Sequence, residues 1–394
     1  MPGESKIGAP IYKNVRLLFD RKTYDAFRRR LLAWVFRGIY RPVESSIRHS
    51  GELARVSIQR IVVCRPNHRL GNALLLTPLI QELQRSFPDA TIDLVLGGGA
   101  GPSIFGVFRN VGHVFCLPRH MAKHPIRVAR LAFKLRNAHY DLAVDPCDGS
   151  QSGRLLLVIA RAKHAIGVRS FDPKTDPALQ GSRSEPVHMA KLPVYLLRHA
   201  LAPQDVDAGM DYPAMTIGLS IAERQAAQET LENLTRDQTH GRPRTTVGIF
   251  AGATGGKRYD TAWWLAFVAA LSSRHADYAM VELGSENGQT QLDSVLPAYS
   301  STNIREVAAF ISNLAGFVSA DCGVMHLASS SGARTVGLFS LTDQAKYAPY
   351  GLGSQGVNTN GKSPEDVALL VGAIIEVDSG DASRIRAHDG CARA

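Results

Sequence analysis

Long apolar runs, paired-cysteine motifs and a dinucleotide glycine fingerprint are all missing from this 394-residue sequence. Its longest apolar stretches, Leu31–Phe36, Leu155–Ala160 and Val367–Ile375, fall far short of the ~20 residues a membrane-crossing helix needs. The amino terminus lacks an uninterrupted apolar segment with a small-residue cleavage site, so no secretory signal is expected and the chain is expected in the cytosol. The five cysteines, Cys64, Cys116, Cys147, Cys322 and Cys391, are odd in number, scattered and without CxxC spacing. That pattern excludes a disulfide framework and a thiolate zinc site. The loop Arg65–Asn72 holds a single glycine, and the string Gly97–Gly101 lacks GxGxxG spacing, so a nicotinamide dinucleotide site is not supported. A Walker loop is missing too. In AGATGGKRYDTAWW, Ala251 replaces the first glycine, and Arg258 stands where Ser or Thr must bind magnesium.

What is present is an average folded composition, 45% apolar and 20% charged, on a length that suits two domains. The formal charge of +10 is unevenly spread: residues 1–50 carry 11 Lys or Arg against 4 Asp or Glu. That concentration argues against a basic groove through the fold, and no RRM, KH or helix-turn-helix pattern is present, so no nucleic-acid partner is expected. Within the arm, Leu17, Phe19, Phe27, Leu31, Trp34 and Phe36 interleave with Arg28, Arg29, Arg30, Arg37 and Arg41. The pattern fits two uses equally: an interfacial helix on an anionic membrane face, or an amphipathic helix packed on the body with a solvated Arg face.

From Gln59 onward, short β-branched runs alternate with helical stretches, the βαβα signature of a parallel sheet covered by helices. Strands are expected at Arg60–Cys64, Thr91–Leu96, His113–Leu117, Asp141–Asp145 and Ala165–Val168, with helices at Asn72–Phe87, Ser103–Arg109, Pro125–Asn137 and Gly153–Ala160. Residues 170–190, rich in Pro, Ser and charge, read as a surface loop. After helices at Lys191–Ala200 and Ile221–Leu234 the alternation restarts. Strands then fit Thr246–Phe250, Tyr278–Leu283, Gly316–Ser319 and Thr335–Phe339, and helices fit Thr261–Arg274, Gln289–Leu296, Ile304–Asn313, Met325–Ser331 and Pro364–Glu376. The resulting division is a basic arm over 1–50, a Rossmann-like domain over 51–215, a second over 216–376, and a tail over 377–394. Two doubly wound halves imply a cleft, with ligands at the carboxyl ends of the strands that face it.

Three loops at such strand ends carry polar chemistry. In FVSADCGVMHLASSSGARTVGLFS a strand runs through Asp321-Cys322-Gly323 into a helix, whose free first-turn amides make a ready phosphate site. Taken singly, Asp321 reads as an N-cap and His326 as a structural histidine. Lys257-Arg258, after a small-residue loop, form a plausible diphosphate clamp. Glu286, at the end of YAMVELGSE, could accept hydrogen bonds from ribose hydroxyls, although alone it reads as a helix-starting acid. At the mouth of the first strand stand Asn67, His68, Arg69 and Asn72.

Four separated blocks together resemble glycosyltransferase family 9, the ADP-heptose:lipopolysaccharide heptosyltransferases. They are RLGNALLLTPLIQELQRSFPDATIDLV, YDLAVDPCDGSQSGRLLLVIARAKHAIG, GATGGKRYDTAWW and ADCGVMHLASSSGARTVGLF, in the family's order across residues 60–376. The resemblance implies a GT-B fold of two Rossmann-like α/β domains. The carboxyl-terminal one would hold a nucleoside-diphosphate sugar and the amino-terminal one a lipid-linked glycan, with inversion at the anomeric carbon and no metal or other cofactor. By position it places Asp321, Cys322, Gly323 and His326 at the diphosphate, where the family usually has Thr in place of Cys322. Thr254, Lys257 and Arg258 would bind phosphate or sugar, and Glu286 the ribose. The family's Gly-Asp after the first strand, whose carboxylate acts as general base, is Gly71-Asn72 here. An amide cannot take that proton. His68 and Asp148 are the alternative bases; otherwise the reaction would proceed slowly with leaving-group help alone, or the chain would be a catalytically impaired nucleotide-sugar-binding scaffold. The leading expectation is a working transferase, peripheral on the inner face of the cytoplasmic membrane, with a nucleoside-diphosphate sugar, a lipid-linked glycan and the anionic membrane surface as partners.

Overall fold

The β-branched runs do form strands, and the computed structural model arranges them in two sheets. It describes residues 47, 51–55, 57–147, 151–167, 186–201, 211–239 and 245–376. The first sheet contains β1 (Arg60–Arg65), β2 (Thr91–Gly97), β3 (Val111–Leu117), β4 (Leu142–Asp145) and β5 (His164–Gly167), all parallel, in the order β3-β2-β1-β4-β5. The second contains β6 (Thr246–Phe250), β7 (Ala279–Leu283), β8 (Ala298–Tyr299), β9 (Gly316–Ala320), β10 (Thr335–Phe339) and β11 (Gln355–Asn358), also parallel, in the order β11-β10-β9-β6-β7-β8. Both orders are the doubly wound Rossmann arrangement, in which the strand order reverses beside the first strand. Strands β4, β6, β7, β9 and β10 are buried along their whole length, as parallel strands covered on both faces must be.

The helices of the first half are α1 (Leu70–Leu74), α2 (Thr77–Ser86), α3 (Gly101–Phe105), α4 (Pro125–Asn137), α5 (Gln151–Ala160) and α6 (Lys191–Leu201). Those of the second are α7 (Ile221–Thr239), α8 (Thr261–Arg274), α9 (Ile304–Ser312), α10 (Gly323–Ser331), α11 (Gln344–Tyr347) and α12 (Pro364–Glu376). No described helix is long and apolar enough to cross a membrane.

The structure corrects four readings. The single helix expected over Asn72–Phe87 is two, because Pro78 has no N–H for the Leu74 carbonyl; the Thr77 hydroxyl donates there instead, at 2.9 Å. Gln289–Leu296 is a succession of turns rather than a helix. Its backbone is fastened to β7 by the buried Glu282 carboxylate, which accepts from the Gln291 and Leu292 amides at 2.8 Å each, and Pro297 disfavours helical geometry at Leu296. At the end of the expected surface loop, His188 and Ala190 are buried in the seam between the halves beside Tyr350. Finally, almost all of the expected arm lies outside the described residues, yet Ile47 is 1% exposed and packs in the same core cluster as Leu53 and Leu196. The folded body therefore begins no later than Ile47. The tail over 377–394 lies outside the described residues.

The halves are joined by polar struts as well as by that shared apolar cluster. The Met189 amide donates to Lys346 O at 3.0 Å. Arg305 of α9 donates through one terminal nitrogen to Ser103 O of α3 and to Ile217 O, both at 3.0 Å, and forks onto Glu223 at 2.6 and 2.8 Å.

Candidate functional site between the two sheets

Strand order alone locates the crevice. In the first sheet it opens between β1 and β4, and in the second between β6 and β9; the loops leaving the carboxyl ends of these four strands supply the polar residues.

On the second-domain side, the loop after β6 makes a short 3-10 turn at Gly255–Lys257. That turn brings Lys257 Nζ to 2.5 Å from Asp321 Oδ2 at the end of β9, and the Thr342 hydroxyl donates to the same oxygen. Asp321 is 6% exposed, and these two donors meet it in place of water. Cys322 then occupies the N-cap position of α10, where its sulfur faces the first-turn amides of Val324 and Met325. Its sulfur lies 3.4 Å from Ser319 Oγ; burial raises the thiol's pKa against the opposing Ser319 and helix amides, so it stays protonated at neutral pH. One turn on, His326 is 4% exposed, and its Nδ1 is buried without a hydrogen-bond partner. Burial pushes His326 down to about 4, overcoming the Asp321 carboxylate, so the imidazole is neutral.

On the first-domain side, β1 ends in Arg65, which is only 3% exposed. One terminal nitrogen donates to Asn72 Oδ1 at 2.9 Å, the other to Cys147 Sγ, and its Nε is buried without a partner. The Cys147 amide donates to Asp145 Oδ1 at 3.1 Å. That carboxylate lies against the first turn of α5: a Cβ added to Gly153 would stand 2.7 Å from it.

The two sides touch where α1 crosses α10. A Cβ on Gly71 would lie 2.6 Å from His326 Cδ2 and 3.4 Å from Gly323 Cα, and a Cβ on Gly323 would lie 3.2 Å from Leu70 Cβ. Glycine is required at 71 for this approach rather than for its backbone angles. Gly71→Ala should therefore strain the seam, lowering stability by about 1–3 kcal/mol in urea unfolding, the usual cost of overpacking. An unchanged midpoint would show that His326 yields freely.

His188 reinforces the seam from the first domain. Its Nε2 donates to Ala348 O at 2.9 Å and its Nδ1 accepts from the Ala190 amide at 3.2 Å, which defines a neutral ring. Burial pushes it down to about 4.

Of the residues singled out from sequence, Lys257, Asp321, Cys322, Gly323 and His326 converge, with Asn72 across the α1–α10 crossing. Thr254, Arg258 and Glu286 are exposed, Glu286 in the turn Ser285–Gly288. His68 is exposed at the rim of the β1 loop. Asp148 lies outside the described residues. Sequence reasoning missed Arg65, Cys147, Thr342 and His188. Nothing local marks any of the four. Among the described residues no group of three or more His, Cys, Asp or Glu could hold a metal ion.

Two Rossmann-like sheets whose switch points face one crevice define a GT-B-type glycosyltransferase fold. The family model described as glycosyltransferase family 9 (heptosyltransferase) matches residues 128–368, well over half of the chain, and the protein belongs to that family. A family 9 glycosyl transferase from Veillonella parvula is similar in structure, at TM-score 0.63 and 18% identity over 84% of this chain and 99% of that one. ADP-heptose lipopolysaccharide heptosyltransferase II of E. coli gives 0.57 and 17% over 81% and 98%. E. coli heptosyltransferase WaaC with ADP gives 0.54 and 18% over 81% and 99%. At such identities the likeness is one of fold. A search of curated proteins finds no significant match.

Proposed function

We propose that the chain is an inverting, metal-independent glycosyltransferase that moves a heptose-like sugar from a nucleoside-diphosphate sugar, ADP-heptose, to a lipopolysaccharide core or related surface glycan at the inner face of the cytoplasmic membrane. The observation that carries this reading is the meeting of both switch points: the Lys257–Asp321 pair and the α10 amides on one side, and Arg65 and Asn72 on the other, within one seam. The structurally similar WaaC has been seen with ADP and with ADP-2-deoxy-2-fluoro heptose, which supports a donor of that class.

In this reading Lys257, Arg258 and the first-turn amides of α10 meet the diphosphate, while Thr254 and Glu286 contact phosphate or sugar and the ribose. Neutral His326, with its unpartnered Nδ1, accepts or donates one hydrogen bond to the donor without adding charge. The acceptor hydroxyl attacks the anomeric carbon from the first-domain side as the bond to the diphosphate breaks. Its proton passes to a base on that side, His68 or Asp148.

Donor turnover by the purified protein with acceptor glycan tests the assignment: ADP-heptose consumed in step with acceptor glycosylation supports it, and donor binding without consumption favours the impaired scaffold. Lys257→Ala should weaken donor binding by about 1.5–3 kcal/mol, the size of a hydrogen bond to a charged group, in calorimetric titration. An unchanged donor affinity would take Lys257 out of the site.

A further inference from the structure

The near-neutral body conceals a second basic region. No Asp or Glu occurs between Asp93 and Asp141, whereas residues 118–137 alone contain Arg119, Lys123, Arg127, Arg130, Lys134 and Arg136. Most of this stretch is α4. Its inner face, with Leu131 and Leu135, packs on the first domain, where Leu135 is fully buried. Its outer face is not wholly polar: Ile126 is 68% exposed and Phe133 69%. Seven residues apart, they lie within ~20° of each other around the helix, so they form one stripe. Arg130 and Arg136 lie to either side of that stripe, and Met121, 41% exposed, stands just ahead of the helix.

Single exposed apolar side chains are ordinary. Two aligned on the outer face of a helix without a single acid, and flanked by arginines, form the pattern of a helix lying in a lipid interface. Between α4 and β3 there is also a groove of about 350 Å3, with Phe115, Leu117 and Leu131 inside and Arg127, Arg130 and Lys134 along it.

We infer that α4 is a docking surface for an anionic bilayer, with Ile126 and Phe133 inserted among the headgroups and the flanking Arg and Lys against lipid phosphates. Charge complementarity selects this occupant. The amino-terminal arm is itself strongly basic and would be repelled from α4, whereas anionic lipid satisfies the charge and the apolar stripe together. Position adds a reason that rests on the transferase reading. Parallel strands all end on the same edge of the sheet, so the loop from β3 into α4 stands on the edge that carries Arg65 and Asp145. Docking there would turn the crevice towards the headgroups, where a lipid-linked acceptor resides.

Co-sedimentation of the full chain with vesicles tests the inference, and because it uses neither donor nor acceptor, failure of the transfer reading leaves its outcome intact. The chain should bind phosphatidylcholine vesicles containing phosphatidylglycerol and bind pure phosphatidylcholine far less. Arg130→Gln with Lys134→Gln should lower the partition into anionic vesicles about 25-fold, from about fivefold per basic side chain near the surface. Ile126→Ser with Phe133→Ser should lower it about tenfold or more. Both pairs are exposed, so the unfolding midpoint should hold. The inference is overturned if both double variants bind as the native chain does, if neutral and anionic vesicles bind it equally, or if it binds RNA but neither vesicle.

Discussion

Where neither His68 nor Asp148 serves as the base, replacing Asn72 by Asp should raise the rate of sugar transfer by about 10²–10³-fold, because a positioned general base contributes about 10²–10⁴-fold and the native amide contributes none. The geometry is already suited to the change. Asn72 Oδ1 sits 2.9 Å from an Arg65 terminal nitrogen, so an aspartate oxygen would take the same hydrogen bond. The adjacent guanidinium would hold the new carboxyl below its usual pKa of about 3.9, leaving it ionised at neutral pH but a weaker base, which trims the top of the range. A second consequence follows for stability. Arg65 is buried beside an amide and a thiol, and the substitution gives it an anion. The folded carboxyl pKa would lie below the unfolded one, so the added stability is present above about pH 4 and is lost as pH falls through the folded value. Steady-state transfer with one donor and one acceptor, for Asn72→Asp, His68→Ala and Asp148→Ala, distinguishes the cases. If Asn72→Asp is neutral while His68→Ala or Asp148→Ala abolishes transfer, that residue is the base; if none of the three alters the rate, the base assignment fails.

Between pH 6.5 and 4 the protein should lose about 3 kcal/mol of stability for each of two histidines. His188 and His326 both fall to about 4 through burial, against about 6.5 when unfolded. The unfolded chain therefore binds more protons across this window, and stability present above pH 6.5 drains away as pH falls towards the folded value. The structural consequence lies at the seam. Protonated His188 has no lone pair at Nδ1 for the Ala190 amide, and protonated His326 places a charge against Gly71 and near Lys257. Urea unfolding at a series of pH values should show a steep slope for the native chain and a shallower one for His188→Gln, whose amide can reproduce both hydrogen bonds without titrating. A native chain equally stable at pH 7 and pH 4.5 would contradict the burial argument.

The two predictions draw on residues that differ in how legible they were. Asn72 stood out from the sequence, because Gly71-Asn72 interrupts an otherwise complete block. Arg65 did not stand out, since an arginine ending a strand is unremarkable until the chain is seen to bury it. His188 was misplaced on the surface because its neighbours in sequence are polar, while its neighbours in space, Tyr350 and Ala348, belong to the other domain. The α4 patch was hidden for a related reason: net charge averaged over the body cancels a local run, and periodicity marks two apolar faces without saying which one is covered.

By itself the sequence determined nine of the eleven described strands, missing the short edge strands β8 and β11, together with most of the helices and the loops that carry polar residues. These depend on local matters, namely β-branched runs, helical spacing, caps and prolines, which act over a few residues. Only the tertiary structure decided which of those loops meet. Arg65 reaches Cys147, Lys257 reaches Asp321 and Gly71 meets His326 across separations that no periodicity spans. The helix break at Pro78 belongs to the first kind, and the turns held by Glu282 to the second. The physical reason is that strand order, which the local pattern leaves open, places the carboxyl ends of β1 and β4 opposite those of β6 and β9. Packing then buries the Asp321 carboxylate and the His326 imidazole together, and burial holds that imidazole neutral.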